Sequence, residues 1–75
     1  MSMYPLFPNV NVQLVGEDGN AYSILGRVIK AMRRGKVPDT SIEDFKTEAT
    51  KGDYNNLLQT VMKYVSTDAD EEEDN

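Results

Sequence analysis

The sequence predicts a small α+β domain, mostly helical, in which one N-terminal strand is followed by three helices. Two patterns carry this prediction. Apolar and polar residues alternate in NVNVQLV, residues 9–15, as in a strand with one buried face. From residue 20 onward, apolar residues instead recur at helical spacing in three successive segments. The regular structure is therefore expected in a single domain at residues 9–66.

The short chain limits the size of the hydrophobic core. A domain of 75 residues buries only about 60% of the surface that its unfolded chain exposes. The sequence contains no cysteine and no histidine, which removes disulfides, thiolate metal sites and the commonest zinc ligand and general base. Self-association remains as a source of buried area, so we expect a homo-oligomer.

The flanks of the domain differ from it in composition. Two prolines in residues 1–8 exclude a helix and favour an extended arm. Residues 67–75 are predicted to be a disordered acidic tail, because they are highly charged and almost free of apolar residues. Six of the acids behind the net charge of −5 lie in this tail, so the rest of the chain carries about +1.

The N-terminal residues also bear on localisation. They lack the basic and long apolar regions of a signal peptide, and no apolar run approaches the roughly 20 residues of a membrane span. We therefore expect a cytoplasmic protein without a membrane partner.

The predicted strand needs a partner strand, since one strand is not a stable sheet. Either the proline-containing arm supplies it, or a second copy of the strand pairs across a two-fold axis; we favour the second arrangement. The apolar face of the strand is then expected at the subunit interface. That face consists of Val10, Val12 and Leu14.

The first helix is predicted to begin after Asn20 as N-cap and to stop at Gly35. Gly26 in its middle costs about 1 kcal/mol relative to alanine, and such a residue often marks close approach of another backbone. Gly26 is therefore added to the predicted subunit interface. The apolar stripe of this helix comprises Ala21, Leu25, Val28 and Met32, widened by Ile24 and Ile29.

Two further helices follow. Thr40 and Glu43 fit a capping box at the start of the second helix, which is expected to end at Gly52. Asp53 is the expected N-cap of the third helix. The apolar stripes are Ile42, Phe45 and Ala49 in the second helix, and Tyr54, Leu57, Leu58, Val61 and Val65 in the third.

The segment GEDGN, residues 16–20, joins the strand to the first helix and has two interpretations. Glycines before a helix N-terminus can cradle a phosphate. However, the segment matches neither the P-loop nor the dinucleotide-binding pattern, and its two acids repel an anion. The calcium-loop pattern is absent as well. We therefore predict a hinge in which Gly16 and Gly19 adopt positive φ.

The first helix also carries the candidate contact residues. Arg27, Lys30 and Arg34 fall at i, i+3 and i+7, on one stripe that could bind nucleic-acid backbone or a nucleotide phosphate. Alternatively the stripe is a solvated face whose last arginines complement the helix dipole. The acidic tail could fold back over the stripe and screen it.

Two segments carry a resemblance to known proteins. VQLVGEDGNAYSILGRVIKAMRR followed by EATKGDYNNLLQTVMKYV resembles a group of short bacterial and phage-encoded proteins, over roughly residues 10–65. The matching residues are Gly16, Asp18, Gly19, Asn20, Leu25, Gly26, Arg27, Val28, Gly52, Asp53, Tyr54, Leu57 and Leu58. The resemblance brings no catalytic residue. It implies a small accessory protein of a phage or mobile element that binds a host protein, a signalling nucleotide or DNA.

The residue types argue against catalysis. No histidine is present to activate a serine, and a core of this size hardly encloses a substrate pocket. We therefore predict a protein that is not an enzyme and uses no cofactor or metal, but binds a host protein or sequesters a small ligand as a homo-oligomer. The alternative is a nucleic-acid or nucleotide-phosphate binder acting through Arg27, Lys30 and Arg34. In a third hypothesis the acidic tail mimics nucleic-acid charge.

Overall fold

A computed structural model describes residues 5–16 and 18–68 of the chain. Its elements are, in order, β1 (Phe7–Val12), α1 (Ala21–Arg34), α2 (Asp39–Ala49), α3 (Tyr54–Tyr64) and β2 (Val65–Thr67). The predicted class, an α+β fold with one N-terminal strand and three helices, is confirmed. The second, short strand is an addition to it.

β2 is the partner strand of β1 within the same chain. The two strands pair in parallel, with Val65 opposite Phe7 and Thr67 opposite Val12, and an irregularity lies between residues 7 and 11. Parallel strands need a long crossover, which here consists of all three helices. The partner strand in the described chain is a segment that the sequence did not suggest, and it begins where Val65 leaves the helical conformation at φ −136° and ψ 163°. Pairing between two copies stays a prediction.

The boundaries of the domain shift accordingly. Phe7 and Pro8, predicted in the arm, belong to β1, and Thr67, predicted in the tail, is buried in β2. The predicted limits of residues 9 and 66 are therefore too narrow at both ends. The remainder of the predicted arm, residues 1–4, and of the predicted tail, residues 69–75, lies outside the described residues.

The caps of α1 are those predicted from the sequence. The Asn20 side chain accepts a hydrogen bond from the Tyr22 N–H at 2.8 Å, and the Gly35 N–H donates to the Ala31 carbonyl at 2.9 Å. The left-handed residue after the helix is Lys36, at φ 64°, whereas Gly35 has φ −85°. Glycine is instead required at position 35 by close packing, because a Cβ there would lie 2.8 Å from Val10 Cγ2.

The predicted N-cap is wrong for α2 and correct for α3. The predicted capping box of α2 is wrong: the N-cap is Pro38, and Thr40 already lies inside the helix. The Pro38 carbonyl accepts from the N–H groups of Ser41 and Ile42, so the first turn closes without a side-chain cap. The predicted cap of α3 is confirmed, since the Asp53 carboxylate accepts from the Asn56 N–H at 2.9 Å.

A single core lies between the helices and one face of the sheet. Phe45 and Tyr64 meet edge to face at its centre, with ring centroids 5.4 Å apart. Val10 and Val12 close the core from β1. The largest fully buried side chains are Phe45, Met32, Ile42, Val28, Val61 and Val65.

Asp68 fastens the end of β2 to the chain beyond β1. Its carboxylate accepts from the Leu14 N–H at 2.8 Å and from the Val15 N–H at 3.1 Å. The Leu14 N–H is the main reason that the pKa of Asp68 lies below its ordinary value, and the Val15 N–H adds to the effect. A residue predicted in a disordered tail is therefore a structural anchor.

We expect Asp68→Asn to destabilise the protein at neutral pH and to have little effect in acid. Because folding lowers this pKa, the ionised carboxylate stabilises the fold above about pH 4, and the contribution is lost as the pH falls through the folded-state pKa. Urea unfolding of both proteins at a series of pH values measures the difference. Asp44→Asn, at an exposed position of α2, is the control. A wild-type advantage that persists or grows in acid would contradict the assignment.

Candidate functional site

The loop between β1 and α1 places Asn20 at the N-cap of the helix, as predicted. Gly16 has the positive φ expected of it, at 84°, whereas Gly19 does not. The Asp18 carboxylate accepts from the Asn20 N–H and the Ser23 hydroxyl, both at 3.0 Å, and the Asn20 hydrogen bond is the main cause of a lowered Asp18 pKa. A carboxylate thus already occupies the helix start. The other predicted acid, Glu17, lies outside the described residues.

Gly19 is in contact with α3. The Tyr54 hydroxyl donates to the Gly19 carbonyl at 2.6 Å, and a Cβ at Gly19 would lie 3.4 Å from that hydroxyl oxygen, an ordinary contact distance. The expectation of positive φ at Gly19 is wrong. The hinge is thereby tied to the third helix.

The three predicted contact residues come together at a groove between α1 and β1. Arg27, Lys30 and Arg34 line one side of it, and Asn11 and Gln13 line the other; the volume is about 330 Å³. We call this site the basic groove. A shallower depression lined by Asn9 and Arg34, among others, continues it.

The basic groove lies along an unpaired edge of β1. The sheet contains two strands in the described part of the chain, so one edge of β1 pairs with β2 and the other edge has no strand partner there. Residues 11–13 line a depression with Thr67 and Asp68 on the β2 side, and they line the basic groove on the α1 side. An extended segment added at this edge would therefore lie against the basic groove.

Positive charge is concentrated at this side of the molecule. Five of the eight basic residues lie between residues 27 and 36, and no acid occurs between residues 19 and 38. In residues 5–16 and 18–68, the ion pairs are Lys46–Glu43 and Lys63–Glu48, both away from α1. The basic side chains of the groove are thus not neutralised by an ion pair in the described structure.

Arg27 is the least exposed of the three basic residues of the groove. Its Nη1 atom is buried and has no hydrogen-bond partner in the described part of the chain. The guanidinium acts electrostatically on Asp18 as a minor cause of that residue's lowered pKa. A buried N–H group without an acceptor costs about 1–3 kcal/mol.

The residues predicted at a subunit interface do not share one surface. Val10 and Val12 are buried in the core of their own chain, and Leu14 is half-buried against it. Gly26 lies on the exposed side of α1, where a Cβ would have no atom within 4 Å. No close approach occurs at Gly26 within the described chain, and contact with a second copy there stays a prediction.

Asn11 and Gln13 could not be assigned to the groove from the sequence. Their alternation with buried valines was the available signal, since it predicts that they point away from the core. Their position beside α1 depends on tertiary packing. Tyr22 is also notable, because it is 84% exposed and precedes Lys30 and Arg34 on the same helical row.

The described residues contain neither a candidate membrane span nor a candidate metal site. None of the three helices combines the length and the apolar character that crossing a membrane requires. Within the same residues, no group of three or more acidic side chains is placed to hold a metal ion.

Comparison of the chain with protein-family models, with curated proteins and with solved structures finds no match. The resemblance to short bacterial and phage-encoded proteins therefore stays a prediction.

Proposed function

We propose that the protein is a non-enzymatic interaction module that binds an extended acidic segment of a partner protein in the basic groove. One observation carries the proposal: Arg27, Lys30 and Arg34 line a groove beside the unpaired edge of β1. The edge supplies main-chain donors and acceptors for an added strand, and the basic residues select for acidic side chains.

Arg27 gives this recognition its strongest contact. A guanidinium binds a carboxylate with two parallel hydrogen bonds, and such charge-assisted bonds are about twice as strong as neutral ones. Arg27 lines the groove and its Nη1 atom is already desolvated, so less hydration is lost when a carboxylate binds the rest of the guanidinium. Lys30 and Arg34 are placed to contact the following residues of the bound segment.

A second copy of β1 fits the same edge less well. Two β1 strands paired at this edge would bring two rows of basic residues close together, and like charges at short distance repel. The predicted homo-oligomer is therefore proposed as a separate property, to be checked by light scattering. A monomer at all concentrations would reject the homo-oligomer without affecting the acidic-segment proposal.

A nucleic-acid single strand is the second candidate ligand. It is favoured by Tyr22, whose exposed ring lies on the helical row that also contains Lys30 and Arg34. A basic row tracks phosphates, and an exposed aromatic ring stacks on a base. We rank this ligand second because it leaves the unpaired edge of β1 unused.

The test is titration of the full chain with labelled probes. The probes are a peptide of alternating glutamate and valine, its glutamine analogue, a backbone N-methylated version of the acidic peptide, and single-stranded DNA of equal charge. We expect the acidic peptide to bind and the other two peptides to bind poorly, because each lacks either charge or main-chain donors. Tighter binding of DNA than of the acidic peptide would favour the second candidate, and binding of no probe would overturn both.

A charge-reversed pair of variants locates the binding. The double variant Arg27→Glu, Arg34→Glu should bind the acidic peptide about tenfold or more weakly than wild type, since each reversal replaces attraction by repulsion. Lys46→Glu with Lys51→Glu changes the net charge equally, on α2 and just after it, and should leave binding nearly unchanged. Equal losses in the two variants would mean that only net charge matters, and would contradict a site in the groove.

A further inference from the structure

We propose that the acidic segment at residues 70–74 binds in the basic groove of its own chain and competes there with the partner. The inference rests on the proposed function of the groove, and it adds a regulatory element to it. In the unbound protein, this segment is the occupant of the groove. Four observations support it: the position of Asp68, the reach of the chain beyond it, the charge of the groove and the unpaired β1 edge.

Asp68 places the start of the acidic segment beside the groove. Its carboxylate is hydrogen-bonded to the N–H groups of Leu14 and Val15, which directly follow the residues that line the groove. Since β2 runs parallel to β1, the chain leaves β2 at the carboxyl end of β1. The segment that follows Asp68 therefore begins near the carboxyl end of β1 and has to cross that strand to enter the groove.

The sequence after Asp68 is long enough to reach all three basic residues. Crossing from the β2 side of β1 to its other side requires about two strand spacings, roughly 10 Å. The basic row from Arg27 to Arg34 is about 10 Å long, at 1.5 Å per helical residue. Residues 69–75 can extend over about 23 Å, so the connection and the row are both covered.

Charge complementarity selects this segment. Residues 70–74 are all acidic and read DEEED, whereas residues 5–16 and 18–68 together carry eight bases and seven acids. A segment that enters from the carboxyl end of β1 runs antiparallel to β1, an orientation compatible with pairing at its unpaired edge. Acidic side chains would then face Arg27, Lys30 and Arg34 in turn.

The short tether makes even a weak contact effective. Attachment at Asp68 gives the segment an effective concentration in the millimolar range at the groove. If the untethered segment binds with a dissociation constant of about 0.1 mM, an effective concentration of about 1 mM weakens the binding of an added acidic peptide to the groove by about tenfold. Salt screens this competition, as it screens the binding itself.

The experiment compares the full chain with a variant in which the five acids become amides. This neutral-tail variant carries Asp70→Asn, Glu71→Gln, Glu72→Gln, Glu73→Gln and Asp74→Asn. The control neutralises three acids of α2, with Asp39→Asn, Glu43→Gln and Asp44→Asn. We expect the neutral-tail variant to bind the glutamate–valine peptide about tenfold more tightly than wild type at low salt, and the control to bind like wild type.

A second measurement reports on the groove without any added peptide. In amide NMR spectra, the signals of residues 11–13 and the side-chain N–H signals of Arg27 and Arg34 should differ between wild type and the neutral-tail variant. They should converge at high salt and stay unchanged on dilution. Signals that change with protein concentration would show binding between copies and would overturn the proposal.

The two measurements separate the inference from the proposed function. Equal peptide affinity in wild type and the neutral-tail variant, with identical groove signals, would overturn the inference and leave the proposed function in place. Tail-dependent groove signals in a protein that binds no acidic peptide would support the inference and overturn the proposed function. If the control variant gained the same affinity, net charge alone would explain the gain, and the inference would be overturned.

Discussion

Phe45→Ala is expected to remove most of the stability of the fold at room temperature. Phe45 has no exposed surface, and its ring packs edge to face with Tyr64 in the centre of the core. Truncating a buried phenylalanine to alanine costs about 3–5 kcal/mol. Domains unfold with about 5–15 kcal/mol in total, and one of this size lies near the lower limit. The loss therefore approaches the whole stability of the fold.

Circular dichroism and the dispersion of amide NMR signals measure the outcome. Phe45→Leu keeps most of the buried volume and should remain folded with reduced stability. Tyr22→Ala removes an aromatic ring that is 84% exposed and should change the free energy of unfolding by no more than about 0.5 kcal/mol. A Phe45→Ala protein with a cooperative transition close to that of wild type would contradict the assignment of Phe45 to the centre of the core.

Gly35→Ala is expected to destabilise the protein, although the backbone at this position suits alanine. Gly35 has φ −85° and ψ 6°, so a Cβ brings no backbone strain, and restricting the unfolded chain would normally stabilise by about 0.4–1 kcal/mol. The added Cβ would instead lie 2.8 Å from Val10 Cγ2, below any normal contact. Overpacking of this kind costs about 1–3 kcal/mol, which outweighs the gain.

A double-mutant cycle with Val10→Ala isolates that contact. The valine methyl that clashes is absent in the second background, so Gly35→Ala should become neutral or stabilising there. Urea unfolding of the four proteins gives the coupling free energy. Equal effects of Gly35→Ala in the two backgrounds would show that the contact between α1 and β1 is not the reason for glycine at position 35.

The helices of this fold could be predicted from the sequence because their signals are local. Asn20, Gly35 and Asp53 occupy the caps that their side chains or spacing indicate. The capping box at Thr40 failed because the helix starts two residues earlier, where the Pro38 carbonyl accepts from the N–H groups of Ser41 and Ile42. Such errors of one or two residues are expected where two start signals overlap.

The candidate site could be predicted only in part. Helical periodicity alone places Arg27, Lys30 and Arg34 on one stripe. That the stripe borders Asn11 and Gln13, and therefore an unpaired strand edge, depends on how α1 packs against β1. The interface residues illustrate the same limit: alternation shows that Val10 and Val12 are buried, but not whether they are buried against the same chain or another.

The sequence by itself determined the elements that depend on neighbouring residues: three helices, three of their caps, the alternating strand and the basic stripe on α1. The tertiary structure decided the pairing of β1 with residues 65–67, the anchoring of Asp68 to Leu14, and the position of the groove. The first two of these join residues more than 50 positions apart, and three residues such as Val65–Thr67 carry too little pattern to predict their partner. Only the closure of the core by all three helices brings the two ends of the domain together.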